Sequence, residues 1–392
     1  MLGAHATLTA LLGAAHGEVS PTPGDSLSQP RTGDSQTTVM PTAKTACFFS
    51  HENRAQLERE QYSIQDIRIL YDLGYRVTVA TSFSEIPWGC DLYFSWWASG
   101  SILPLIKARL SGKPIIVVAG GNDSMFYRDS LSGIPYGYLA TPWYKKLAAR
   151  LSLRFGTVVL VVSRFMVDDV RSLGARAPIV APNSVNTSTF CPSDDPRSHV
   201  TTMFNLVDGV VGIKRGEVFL RSVPMVLSTY PKQTFVIIGE KGNAYQRLRT
   251  LASDLGIQGS VDFIGSIENS EVASWLQRSK IYVQISDTET FGVAIAEAMS
   301  SGTPVVVSRR GAIPELVGSH GMFVDHNDPR SVAAGIVALL AKTEEERHSV
   351  GTEARSRIVE QFSYEKRRET IQRIIEDVSL LENRRGQHRG SA

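Results

Sequence analysis

From Ala46 to Val324 the chain alternates short runs rich in Val, Ile and Phe with longer stretches of helical periodicity, and this alternation most constrains its fold. Strands separated by helices pair in parallel, because a parallel neighbour is reached only by a crossover of about a dozen residues or more. Ala46–Ser50, Arg76–Ala80, Leu92–Trp96, Ile115–Ala119, Val158–Val162 and Ile179–Ala181 read as a first set of strands. Thr202–Leu206, Phe235–Gly239, Val261–Ile264, Ile281–Ile285, Pro304–Ser308 and Gly321–Val324 read as a second. Between the sets, Asn183–Ser198 carries Pro192 and Pro196 among Asp, Ser and Thr, and reads as an interdomain connection. The fold class predicted is α/β with two open sheets, and 392 residues exceed the roughly 250–300 at which a single core stops growing. Open sheets bind ligands beyond the carboxyl ends of their strands, so those loops hold the candidate sites.

The ends of the chain read differently. Gly17–Thr38 is rich in Ser, Thr, Pro, Gly and Gln and cannot bury enough apolar surface to offset its ordering entropy, so residues 1–39 are expected to be a disordered extension. Met40 stands just before the first strand and is an alternative start. Met1–Ala15 lacks a positively charged beginning and is interrupted by His5, Thr7, Thr9 and Gly13, which argues against a signal peptide. Residues 40–193 and 194–365 are expected to form the two domains, and 366–392 a closing helix with a basic tail at Arg384, Arg385 and Arg389. A balance of 41 Lys and Arg against 39 Asp and Glu removes nucleic acid as an expected partner. Cys47, Cys90 and Cys191 lie far apart, so neither a disulfide framework nor a zinc site is signalled, and a reducing, cytoplasmic compartment is expected.

Ser286–Ser308 is the most informative stretch. A strand ends at Ser286, Thr290-Phe291-Gly292 opens a helix, and Gly302 with Pro304 stops it. The first N–H groups of such a helix lack partners and lie at its positive end, so a phosphate is favoured there, and Gly292 lets the backbone approach it. Glu297 lies about two turns inside, roughly 7–10 Å along the axis. The run from Glu289 through Thr290-Phe291-Gly292 to Glu297 and on to Gly302-Thr303-Pro304 resembles the E-x7-E signature of family 4 glycosyltransferases, retaining enzymes of the GT-B fold. The resemblance implies two Rossmann-like domains across a cleft, a sugar-facing Glu289, backbone amides at Thr290, Phe291 and Gly292 near sugar and phosphate, and a ribose-binding Glu297. An amphipathic helix with outward glutamates is the bland alternative.

Lys214-Arg215-Gly216 resembles the family's cation-Gly pair that grips the donor pyrophosphate, with Asn205 standing where an Arg is common; which of Lys214 and Arg215 points inward stays open. Gly239, in Phe235-Val-Ile-Ile-Gly-Glu-Lys-Gly242, and Gly265 match the family's strand-end glycines near the nucleotide, although a tight strand exit needs a Gly equally. In the first domain, Gly120-Gly121-Asn122-Asp123 resembles a Gly-Gly-x-Asp segment of some members. Asp123 either addresses the acceptor or closes an Asx turn, and His51 either assists there or is an ordinary loop residue. Pro142-Trp143-Tyr144-Lys145-Lys146 with Arg150 and Arg154 is either a surface helix or a peripheral membrane contact.

Neither a G-x-G-x-x-G after the first strand, nor a P-loop, nor a G-x-S-x-G elbow, nor H-E-x-x-H is present, which removes the corresponding enzyme classes. The resemblance therefore implies a hexosyltransferase-type enzyme moving sugar from a nucleoside diphosphate donor to a hydroxyl acceptor, on a glycan, a lipid or a small molecule. The alternative is a catalytically silent sugar-nucleotide binder that partners an active enzyme. No cofactor and no metal are expected: Asp254 and Asp262 are isolated, and a helix N-terminus with Lys214 or Arg215 can neutralise the pyrophosphate.

Overall fold

The computed structural model describes residues 43–58 and 60–390. The extension expected over residues 1–39 lies outside them, as do the side chains of Arg384, Arg385 and Arg389. Strands β1 (Thr45–Phe49), β2 (Arg76–Ala80), β3 (Leu92–Trp96), β4 (Ile115–Ala119), β5 (Phe126–Arg128), β6 (Pro135–Gly137), β7 (Val158–Val161) and β8 (Ile179–Val180) belong to the first half. Strands β9 (His199–Met203), β10 (Thr234–Ile238), β11 (Val261–Gly265), β12 (Ser279–Gln284), β13 (Val305–Ser308) and β14 (Met322–Val324) belong to the second. The helices used below are α1 (Gln61–Asp72), α2 (Ile102–Leu110), α3 (Trp143–Phe155), α4 (Asp208–Lys214), α5 (Val293–Ser300), α6 (Glu344–Phe362) and α7 (Tyr364–Gly390).

Both main sheets are parallel and Rossmann-like, as the strand-helix alternation predicts. Their orders are β2-β1-β3-β4-β7-β8 and β11-β10-β9-β12-β13-β14. The order reverses between β1 and β3 in one sheet and between β9 and β12 in the other, and loops leaving the carboxyl ends at such a switch point diverge to leave a crevice. All five residues of β3 and of β4 are buried, the near-continuous apolar pattern of a sheet covered on both faces.

Most strand ends fall within one or two residues of the sequence reading, and two elements differ by more. The strand expected at Thr202–Leu206 is β9, three residues earlier, because buried Phe204 and Leu206 mimic strand residues while belonging to the exit loop. The antiparallel hairpin β5-β6 has three-residue strands, too short for any periodicity to announce it.

The chain closes on itself at its end. After α6, Val185 donates its N–H to the Phe362 carbonyl at 2.8 Å, and α7 then runs onto the first sheet's helices. Arg367 reaches both carboxylate oxygens of Asp66 at 2.6 and 2.7 Å and the Ala181 and Pro182 carbonyls at 2.8 and 2.6 Å. Trp96 donates its indole N–H to the same Asp66 at 2.9 Å. Ile371, Ile374, Ile375 and Val378 are buried along one face of α7, the apolar stripe that gives this helix a reason to dock.

Candidate active site

Beyond the carboxyl ends of β9 and β12, Lys214 from the end of α4 meets Glu289 from the loop before α5. Three donors converge on Glu289 Oε1: Lys214 Nζ at 2.5 Å, Gln284 Nε2 at 2.5 Å and Ser286 Oγ at 2.7 Å. Gln284 is itself aimed by the Tyr282 hydroxyl, which donates to its Oε1 at 2.5 Å. One carboxylate oxygen thus anchors the side chain and holds Lys214 beside it. Gly292 has φ +96°, so the turn into α5 uses the left-handed region that favours glycine, and it brings the N-terminus of α5 into the wall of a cavity of about 290 Å³. Lys214, Gln284, Glu289, Thr290, Phe291 and Gly292 line that cavity from the second domain. Tyr62, Trp97, Gly120 and Asn183 line it from the other side, and the buried Asn183 Oδ1 has no hydrogen-bond partner.

The domains touch here. Thr290 Oγ1 donates to the Gly120 carbonyl at 3.0 Å, and a side chain at Gly121 would run into Thr290. A second cavity, of about 440 Å³, lies wholly in the first domain and is lined by His51, Glu52, Trp97, Ser99, Asp123 and Lys145 among others. Asp123 accepts the Ser99 N–H on Oδ2 at 2.6 Å, while its buried Oδ1 has no partner. Asp123 and His51 therefore come together, on the opposite side of Trp97 from Glu289. Trp97 walls both cavities, has φ +70° and leaves its buried Nε1 unpaired. A bulky residue held there costs of order 1–3 kcal/mol, a strain characteristic of binding sites, and no sequence pattern reveals it.

Residues 210–357 match the family described as glycosyl transferases group 1. Over those residues the chain is similar to group 1 glycosyl transferases. It is 30% identical over 217 residues to D-inositol 3-phosphate glycosyltransferase of Corynebacterium jeikeium, covering 51% of each chain. It is 24% identical over 296 residues, 74% of this chain and 76% of the relative, to an uncharacterized glycosyltransferase of Methanocaldococcus jannaschii. The match thus spans about half the length of the first of these relatives. The fold is that of Anabaena HepE in complex with UDP and glucose, at TM-score 0.68 and 15% identity over 85% of this chain and 100% of that one. The two facing Rossmann-like domains are thus the GT-B arrangement.

Within this matched segment, the two cations of Lys214-Arg215-Gly216 part company. Lys214 faces the cavity; Arg215 does not. With φ +54° Arg215 turns back, and its guanidinium meets Asp129 at 2.6 Å, Asp287 at 3.0 Å, Ser130 Oγ at 2.8 Å and Asn327 Oδ1 at 2.9 Å. Arg215 is therefore corrected from a pyrophosphate ligand to the centre of a clasp between domains, since two buried carboxylates occupy it. Asp287 also accepts from Tyr127, from the Ser130 N–H at 2.8 Å and from His326 Nε2 at 2.7 Å. Although burial opposes it, these hydrogen bonds and the guanidinium hold the Asp287 carboxyl well below the usual range.

Asn205, Gly239 and Gly265 lie outside the wall of the 290 Å³ cavity. Asn205 Oδ1 accepts the Glu240 N–H at 3.0 Å, which ties the exits of β9 and β10 together. A Cβ at Gly239 would strike the Phe204 carbonyl, so the tight strand exit accounts for that glycine. Glu297, half-buried on α5, is not among the residues lining the 290 Å³ cavity, and burial pushes its carboxyl up to about 8.

Proposed function

We propose that the protein is a retaining glycosyltransferase that moves a hexose-like sugar from a nucleoside diphosphate to a hydroxyl acceptor. One observation carries this reading: Glu289, fixed through one oxygen by Lys214, Gln284 and Ser286, stands at the N-terminus of α5 in a cleft shared with the first domain. Lys214 and the open N–H groups of α5 neutralise the pyrophosphate, so no divalent ion is required. Glu289 positions the sugar, and Glu297 accepts hydrogen bonds from the ribose. The cavity at Asp123 and His51 takes the acceptor.

In the reaction the bond from the anomeric carbon to the diphosphate oxygen breaks and a bond to the acceptor oxygen forms on the same face. The acceptor proton passes to the departing diphosphate. Charge grows on the phosphate as the sugar becomes oxocarbenium-like, and donors already in place stabilise it without reorganisation. The UDP and glucose held by the Anabaena relative, and the inositol phosphate glycosyltransferases similar in sequence, support a nucleotide-sugar donor.

The test is a thermal-shift screen of sugar nucleotides followed by detection of nucleoside diphosphate release in excess EDTA. A true donor at about 100 times its dissociation constant adds about 2.7 kcal/mol of apparent stability. Release that Glu289→Gln abolishes while the shift persists supports the enzyme. Binding without any release, with or without acceptor, would identify a silent binder, and product of inverted configuration by NMR would overturn retention.

A further inference from the structure

Helix α3 presents its apolar side to solvent. Ala149, Ser152 and Leu153 are its buried residues. At about 100° per residue, Trp143, Leu147, Leu151 and Phe155 fall opposite them as one stripe. They are 76%, 51%, 36% and 50% exposed, and Tyr144 beside them is 56% exposed. Helix α2, joined to α3 by the Arg109 guanidinium donating to the Phe155 carbonyl, adds exposed Ile106 and Leu110. Scattered exposed apolar residues are ordinary, but a stripe running the length of a helix marks a surface that something covers.

Charge selects the occupant. Lys145, Lys146, Arg150 and Arg154 lie on the same helix, which contains no Asp or Glu. Two copies meeting through this face would bring eight cations together, four from each α3, which disfavours self-association. We propose that α3 is the docking surface for an anionic lipid bilayer, lying in the interfacial plane with Trp143, Leu147, Leu151 and Phe155 inserted and the cations at the headgroups. No helix among the described residues is long and apolar enough to cross a membrane, so this attachment is peripheral. The N-terminal end of α3 borders the 440 Å³ cavity, where Pro142 and Lys145 form part of the wall. A membrane under α3 thus lies beside the mouth of the site assigned above to the acceptor. This deepens that reading by naming a lipid-anchored acceptor, but docking itself does not depend on it.

The experiment uses the full chain and vesicles of phosphatidylcholine, alone or with about one-third phosphatidylglycerol, in co-sedimentation at low and high salt. Binding to the anionic vesicles only, weakened by salt, is expected. Each surface cation is worth about fivefold, so Arg150→Glu with Arg154→Glu should lower binding at least about thirtyfold. Leu147→Ser with Leu151→Ser should lower it comparably at every salt concentration, and brominated lipid should quench tryptophan fluorescence in the wild type but not in Trp143→Phe. These side chains are exposed, and an unchanged melting temperature verifies folding. Absence of binding to either vesicle, binding unaltered by the paired variants, or a dimer that the Leu147 and Leu151 changes dissolve without any vesicle binding would each overturn the proposal. If docking holds while the sugar-nucleotide screen fails, the membrane surface stands and the proposed reaction falls.

Discussion

Adjacent cations in Lys214-Arg215 have opposite fates, and their substitution should separate binding from folding. Lys214→Ala removes a charge-assisted contact worth about 1.5–3 kcal/mol, so donor affinity should fall about tenfold to a hundredfold, with a smaller loss of stability than at Arg215 because Gln284 and Ser286 still hold Glu289. Arg215→Ala strands Asp129 and Asp287, whose side chains are 5% and 0% exposed, and should cost about 3–5 kcal/mol of stability by denaturant titration. Both carboxyls are held below their ordinary range, so the stability they contribute is present above the unfolded carboxylate pKa and is lost as pH falls through the folded one. Glu297 has the opposite sign. Its carboxyl is raised from 4.5 to about 8, so folding favours the protonated form and this site's contribution to stability declines as pH rises from 4.5 through 8. If Glu297 accepts the two ribose hydroxyls on both of its oxygens, donor binding releases its proton, and affinity should rise with pH up to about tenfold per unit until about 8. Calorimetry in buffers of different ionisation enthalpy measures that proton, and a flat profile would remove Glu297 from the nucleotide site. The spacing of Glu289 and Glu297 was legible because one short loop and the helix it opens carry it. The direction of Lys214 against Arg215 was not, because a left-handed residue at the junction after α4 decides it.

At the scale of elements, strands β2, β3 and β4 coincide with the runs read from sequence, since their neighbours are abrupt turns. The misplacement of β9 shows the limit of that reading: a buried loop carries the same apolar residues as a strand, and only pairing with β10 and β12 distinguishes them. Gly239 marks where the ladder gives way. Its φ of +156° and the nearness of the Phe204 carbonyl leave no room for a Cβ, so Gly239→Ala should destabilise the protein by more than about 2 kcal/mol. Chemical denaturation measures this, and an unaltered midpoint would show that the β9 exit can shift. Hairpin β5-β6 was invisible to periodicity, yet its first strand supplies Tyr127, and its turn Asp129 and Ser130, to the clasp.

For the whole molecule, the closing helix α7 and the clasp add to the Thr290–Gly120 contact in joining the domains. Arg367→Ala leaves Asp66 buried without its counter-charge, held only by the Trp96 indole N–H, and should cost about 3–5 kcal/mol, whereas changing the exposed Lys366 should cost within about 0.5 kcal/mol; equal melting temperatures for the two variants would refute the role given to α7. Alternation and local spacing alone determined the α/β class, the two sheets, the loops that hold the site and the loop-helix run from Glu289 to Glu297, because those are properties of residues a few positions apart. Tertiary structure decided which cation faces the cleft, that Trp97 is strained between two cavities, and that Tyr127 and Asp287, 160 residues apart, share one hydrogen bond. It also decided that the apolar stripe of α3 faces outward, since helical spacing places residues on a common side but only packing against the sheet selects which side is buried.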